Sequence, residues 1–188
     1  IPSSPPNLQA WEENHSYGST ILEFSRMNQL EALPRPPTWI YGDSIRLHFS
    51  HIFPGNATCG QVHGYHFRIV SPGNVDAGHI NLRIGDTPHI REVAGHIGYE
   101  IIPTQRGHGY AAKACRVLTP FVSKFYQTVI ITADPDNLVS IHIIEKLGAQ
   151  FLNEVAVPRD DVAYTSGARR KKRYQWNVTR RAGLYCRK

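Results

Sequence analysis

Residues 97–112 read Ile-Gly-Tyr-Glu-Ile-Ile-Pro-Thr-Gln-Arg-Gly-His-Gly-Tyr-Ala-Ala. An apolar run with strand character passes through a Gly-rich turn into the start of an amphipathic helix. A strand delivered in this way to a helix N-terminus calls for a sheet with helices packed on it. The same order constrains chemistry. The first turn of a helix carries N–H groups without intrahelical partners, at the positive end of the dipole, and this geometry holds a phosphate. Gly107 and Gly109 lack the side chains that would keep a pyrophosphate off those donors, and Arg106 adds a permanent cation. The stretch is not a Walker loop, because no Gly-Lys-Ser/Thr follows. It is not a dinucleotide fingerprint, because Ala112 stands where a third glycine is needed.

A second segment follows, Ala133-Asp-Pro-Asp-Asn-Leu-Val-Ser-Ile-His-Ile-Ile-Glu-Lys-Leu-Gly-Ala149. Together the two resemble the GNAT superfamily of acyl-CoA N-acyltransferases, over roughly residues 42–178. Arg106-Gly-His-Gly-Tyr-Ala111 matches its pyrophosphate loop, (Arg/Gln)-x-x-Gly-x-(Gly/Ala). Asn137-x-x-Ser140 followed by Glu145-Lys-Leu-Gly148 matches its second signature. The form with Ser is similar to the branch of ribosomal-protein N-terminal acetyltransferases. The resemblance implies an α+β (α/β) fold: a mixed, mostly antiparallel twisted sheet of about six to seven strands, with helices on both faces and splayed central strands. It implies acetyl-CoA as co-substrate and a primary amine as acceptor, with direct attack in a ternary complex.

Residue by residue, the resemblance assigns Arg106, Gly107, His108, Gly109, Tyr110 and Ala111 to the pyrophosphate. Backbone donors of the preceding strand, from Tyr99 through Ile101 and Ile102, are assigned to the pantetheine arm and the thioester oxygen; Pro103 has no N–H, so that run ends there. Asn137 contacts the pantetheine from the second helix. The amine must lose a proton, since an alkyl ammonium (pKa about 10.4) is not nucleophilic. His96 stands where relatives often carry a glutamate, and an imidazole near pKa 6.5 suits the task. Glu100, of the same strand parity, and Glu92 are the alternatives, and a purely structural His96 is the competing reading. Many relatives place a tyrosine acid four residues after the Ser140 position; here that residue is Ile144. Ser140 is then the candidate donor to the leaving thiol, against a reading as helix N-cap.

Residues 1–40 are Pro-rich at both ends, with one segment, Thr20–Leu33, that places Leu22, Met27, Leu30 and Leu33 near one helical face. The expected organisation is an N-terminal extension with a short helix (1–40), a GNAT-like domain (41–180) and a basic tail (181–188). Strands are expected at 44–50, 65–70, 78–85, 95–102, 128–132, 151–157 and 172–178, with a hairpin turn at Pro72-Gly73. In the third, Ile80, Leu82 and Ile84 face one way and His79, Asn81 and Arg83 the other. Helices are expected at about 108–126, kinked at Pro120, and at about 138–147. The family usually inserts two helices after its first strand; residues 52–63 are too few for both.

The chain has 188 residues and a net charge of +6. From Val162 onward there are nine basic residues and no acidic one, which leaves −3 for the rest. The cluster Arg169, Arg170, Lys171, Lys172, Arg173 reads either as the basic flank of a solvated edge strand or as a patch for an acidic or RNA partner. No apolar run approaches the ~20 residues of a membrane span. Three scattered cysteines, Cys59, Cys115 and Cys186, fit a reducing, cytoplasmic setting. His48/His51 and His63/His66 have ligand-like spacing without a completing set, so no metal is expected. The quaternary expectation is a monomer or homodimer. The rival functions are a non-catalytic acyl-CoA-binding module and a nucleic-acid- or ribosome-associated protein using the basic cluster.

Overall fold

The computed structural model describes residues 33–179. The amphipathic segment 20–33, but for Leu33, and the basic tail 181–188 lie outside the described residues.

Strand alternation builds the first sheet. β1 (Trp39–Tyr41), β2 (Arg46–Phe53), β3 (Gly64–Ser71), β4 (Val75–Arg83) and β5 (Ile97–Ile101) lie in that order, each antiparallel to the next. Period-two alternation puts Tyr65, Phe67, Ile69, Ile80 and Leu82 on one face, all fully buried. α1 (Tyr110–Val122) covers that face with Cys115, Leu118, Phe121 and Val122. The Tyr65 and Phe121 rings meet edge-to-face at 4.9 Å. Each such side chain contributes about 1.5–3 kcal/mol of burial. Pro120 falls in the last turn of α1, so its missing N–H costs the end of the helix rather than its middle, and α1 stops at Val122.

On the opposite face, strand pairing aligns three imidazoles. His51 stacks on His66 and His66 on His79, each pair at 4.9 Å. Burial lowers the pKa of His66 and of His79, so the stack is favoured uncharged. The segment between β2 and β3 carries one 3-10 turn (Ala57–Cys59) and neither of the helices usual in the family.

β6 (Thr128–Ala133), β7 (Gln150–Ala156) and β8 (Arg170–Asn177) form a second antiparallel sheet in the order β6-β8-β7. β8 is therefore a central strand, not the solvated edge that its basic flank suggested. Its cations meet local partners instead. Lys171 Nζ lies 2.8 Å from Asp134 and Arg170 Nε 2.7 Å from Glu154. Arg173 donates to the Arg91 carbonyl and to Asn153. α2 (Leu138–Lys146) follows β6, and α3 (Val162–Thr165) interrupts the β7–β8 connection. Among the described residues, eight short strands in two sheets, with helices, make the mixed α+β class expected. The three-residue β1 is the strand that no sequence pattern announced.

Candidate functional site

The two sheets meet beside His96, just before β5, and part beyond it. The His96 N–H donates to the Ile130 carbonyl at 2.7 Å, and the Ile130 N–H donates to His96 Nδ1 at 3.0 Å. Past this join no ladder connects β5 to β6. A cleft of about 290 Å³ opens between them, lined by Gly98 and Tyr99 on one side and Ile131, Thr132 and Ala133 on the other. Asn137 and Ser140 of α2 also line it.

β5 pairs with β4 along one edge only. In an antiparallel ladder, N–H groups alternate sides. The Ile102 N–H is spent on the Ala77 carbonyl at 3.0 Å. Tyr99 and Ile101, of opposite parity, turn their N–H groups away from β4 toward the cleft side. Ile102, expected among the donors, is thus committed to the sheet.

Beyond β5 the chain enters the glycine turn. Gly107 and Gly109 have φ of +85° and +70°, the left-handed region that favours glycine. A Cβ at either would meet nothing within 4 Å, so both face open space. Gly109 caps α1 without any side-chain hydrogen bond, and the first-turn amides remain available to an anion. Arg106 is held by a bond from Nε to the Ile101 carbonyl at 3.1 Å. His108 and Tyr110 stack at 5.3 Å, and Lys113 lies over the Tyr110 ring at the same distance. Lys113 adds a cation that the motif alone did not name. Ala111 is buried at the start of α1.

The family model of the acetyltransferase (GNAT) domain matches residues 33–150. The chain belongs to the GNAT acetyltransferase family. No curated protein gives a significant match. Among solved structures, RimL, a ribosomal L7/L12 α-N-protein acetyltransferase, is 12% identical in an apo form; the match covers 77% of this chain and 98% of that one, with a TM-score of 0.53. A Vibrio cholerae protein with a provisional role as ribosomal-protein-serine acetyltransferase is 13% identical, over 77% and 99%, with a TM-score of 0.51. A Bordetella pertussis protein placed provisionally in the GNAT family is 17% identical with a TM-score of 0.46. There the match covers 60% of this chain and 65% of the other, so the chain spans less than two thirds of that relative.

Within this GNAT domain the expected proton-transfer groups fall in different places. His96 is 4% exposed. Its Nδ1 is occupied at the join and its ring packs on Tyr126 at 4.7 Å. Burial lowers its pKa, so it is held neutral. It does not line the cleft. Glu100 is exposed opposite His79 on the histidine face, away from the cleft. Glu92 lies on a π-helical turn (His89–Ala94), outside the cleft lining. Ser140 does line the cleft and is not the helix cap. That role belongs to Asn137, whose Oδ1 accepts from the Ser140 N–H at 3.0 Å. Ile144 is buried in the core.

Four side chains near the cleft have contacts that the sequence did not show, although Tyr99 was named there for its backbone N–H and Arg83 for its place on one sheet face. The Tyr99 hydroxyl is buried in the cleft region beside Ser140, and burial raises its pKa. Arg83 reaches across β5 at Gly98, where a Cβ would meet Nη1 at 3.0 Å, and donates to the Ala94 and Gly95 carbonyls. The third and fourth are His89 and Asp161, paired at 2.6 Å beside the cleft. Their partners are more than 10 residues away along the chain, and no local motif signals such contacts. Among the described residues no helix is long and apolar enough to cross a membrane.

Proposed function

We propose that this domain is an acetyl-CoA-dependent N-acetyltransferase that transfers acetyl to a primary amine by direct attack in a ternary complex. One observation carries the reading: β5, which lines the cleft, runs on into an α1 N-terminus that has no side-chain cap and whose two glycines face open space. A diphosphate fits there, on Arg106 and the amides from Gly107 to Ala111, with His108 and Tyr110 walling the loop. The Tyr99 and Ile101 amides meet the pantetheine and the thioester oxygen, where charge develops. The Asn137 side-chain nitrogen remains for the pantetheine, since its oxygen caps α2. Ser140 and the Tyr99 hydroxyl then stand by the leaving sulfur. In this reading His96 positions the strands that hold the thioester, and Glu100 stands on the side from which a cationic amine approaches. Cys115 is buried, with its thiol pushed up to about 12, which supports direct transfer over an acyl-enzyme at that cysteine. Free thiols at Cys59 and Cys115 support a reducing, cytoplasmic setting.

A second reading, an acyl-CoA-binding module without catalysis, is favoured by Ile144 at the position of the usual acid. One experiment separates them. Thermal shifts with acetyl-CoA, CoA and ATP are run on wild type and Gly109→Trp, followed by CoA-thiol release with a free N-terminal peptide, a lysine peptide and spermidine. Stabilisation by acetyl-CoA and CoA that is lost in a folded Gly109→Trp protein establishes the donor site. Thiol release with any acceptor establishes the enzyme; stabilisation without release favours the binding module. No shift at saturating acetyl-CoA refutes both.

A further inference from the structure

We propose that His89, oriented by Asp161, is the general base of the transfer, and that the amine reaches it along the histidine face of the first sheet. This rests on the transferase reading above. His89 Nδ1 donates to Asp161 Oδ2 at 2.6 Å. The two side chains are 10% and 7% exposed. A buried carboxylate on one ring nitrogen fixes the tautomer and leaves Nε2 as the acceptor, which is the arrangement a general base requires. Asp161 is itself anchored, since its other oxygen accepts from the Ala163 N–H at 2.8 Å and caps α3.

Position makes the pair more than a structural tie. A groove of about 380 Å³ runs over the histidine face, lined by His51, Gln61, His66 and Asn81 among others. It lies where the family's two helices are missing. The Asn81 side chain lies there beside the His66 ring, with which it interacts. The groove and the β5–β6 cleft share three lining residues: Arg83, His89 and Ala94. His89 is the one of the three whose side chain offers an accepting ring nitrogen. The charged and titratable groups lining the cavities it borders include Asp160 and Asp161 from the β7–β8 connection, Arg83 from β4, His51 and His66 from β2 and β3, Cys59 from the 3-10 turn, and Glu92 on its own turn. Toward the second sheet they include the Asp134–Lys171 pair with Asp136, Glu154, Arg169 and Arg170.

His89 Nε2 takes one proton from the ammonium, and the Asp161 carboxylate stabilises the resulting imidazolium. The nitrogen lone pair forms the C–N bond at the thioester carbonyl. The C–S bond breaks, and its electron pair leaves on sulfur. The surplus proton on nitrogen passes to the thiolate, giving CoA thiol and the amide. The imidazolium returns its proton to solvent through the groove.

The test compares wild type, His89→Gln and Asp161→Asn, with the same three acceptors. Asp161→Asn keeps Oδ1 for the α3 cap and removes the carboxylate that orients the imidazole. Acetyl-CoA affinity by calorimetry is expected to stay within about twofold for all three. His89→Gln is expected to lower kcat/KM by about 10²–10⁴-fold and to abolish the acidic limb of its pH profile. Asp161→Asn is expected to lower kcat/KM and shift that limb. A His89→Gln enzyme within threefold of wild type, with the limb intact, overturns the proposal and leaves the transferase reading standing. Wild type that binds acetyl-CoA and acetylates none of the acceptors overturns both. If His89→Gln does not fold, Asp161→Asn decides, and an unchanged pH limb there overturns the assignment.

Discussion

His96 and Ile130 exchange two hydrogen bonds, one from backbone to backbone and one from backbone to ring. The imidazole thereby completes a pair that strand geometry alone leaves half made, at the point where the two sheets part. Whatever enters the cleft is held by strands whose spacing this contact sets.

Replacing His96 by leucine removes the acceptor for the Ile130 N–H. Leaving such a donor unpaired costs about 1–3 kcal/mol. A lower melting temperature is expected, together with weaker acetyl-CoA binding, measured by calorimetry at a temperature where the variant is folded. Unchanged stability would show that the join does not depend on the ring.

The same residue gives stability a pH dependence. Burial lowers the folded-state pKa of His96, and of His66 and His79. The unfolded chain therefore binds more protons than the folded one below about pH 6.5. The stabilisation is full above that value and is lost as pH falls through the lowered folded-state values. Denaturant titrations from pH 7.5 to 5 should show falling stability, with a shallower fall in His96→Leu.

Tyr99→Phe separates folding from chemistry. Its hydroxyl is buried beside Ser140, so deleting it gives up that contact and relieves a desolvation cost of similar size. Stability is expected to hold, while kcat falls if the hydroxyl serves the leaving sulfur. A loss of stability with kcat intact would place its role in the fold.

Gly109→Ala tests the loop without filling it. Nothing lies within 4 Å of the added methyl, but φ of +70° disfavours any Cβ by about 1–2 kcal/mol. A small fall in melting temperature and a larger relative loss of CoA affinity are expected. Equal affinity would show that the turn tolerates a different backbone.

Seven of the eight described strands, the two longer helices and the glycine turn were legible because their signals are local. Alternation in Gly78–Gly85 matched the buried Ile80 and Leu82, and the glycines at 107 and 109 announced a turn of positive φ. The order of the second sheet was not legible: Arg170–Arg173 looked like an edge because their partners Glu154 and Asp134 lie far off in sequence. The π-helical turn that carries His89 has no period that a pattern search favours. Asp161, which holds it, is 72 residues away. His96 was conspicuous for its place on the strand, but only the fold reveals that Ile130 occupies its nitrogen.

β6 and β7 share no hydrogen bond, since β8 lies between them. During synthesis both emerge with bare facing edges, and residues 170–177 must arrive before either gap closes. Until then the nascent chain offers a slot of the width of one strand, open to a neighbouring polypeptide as much as to its own.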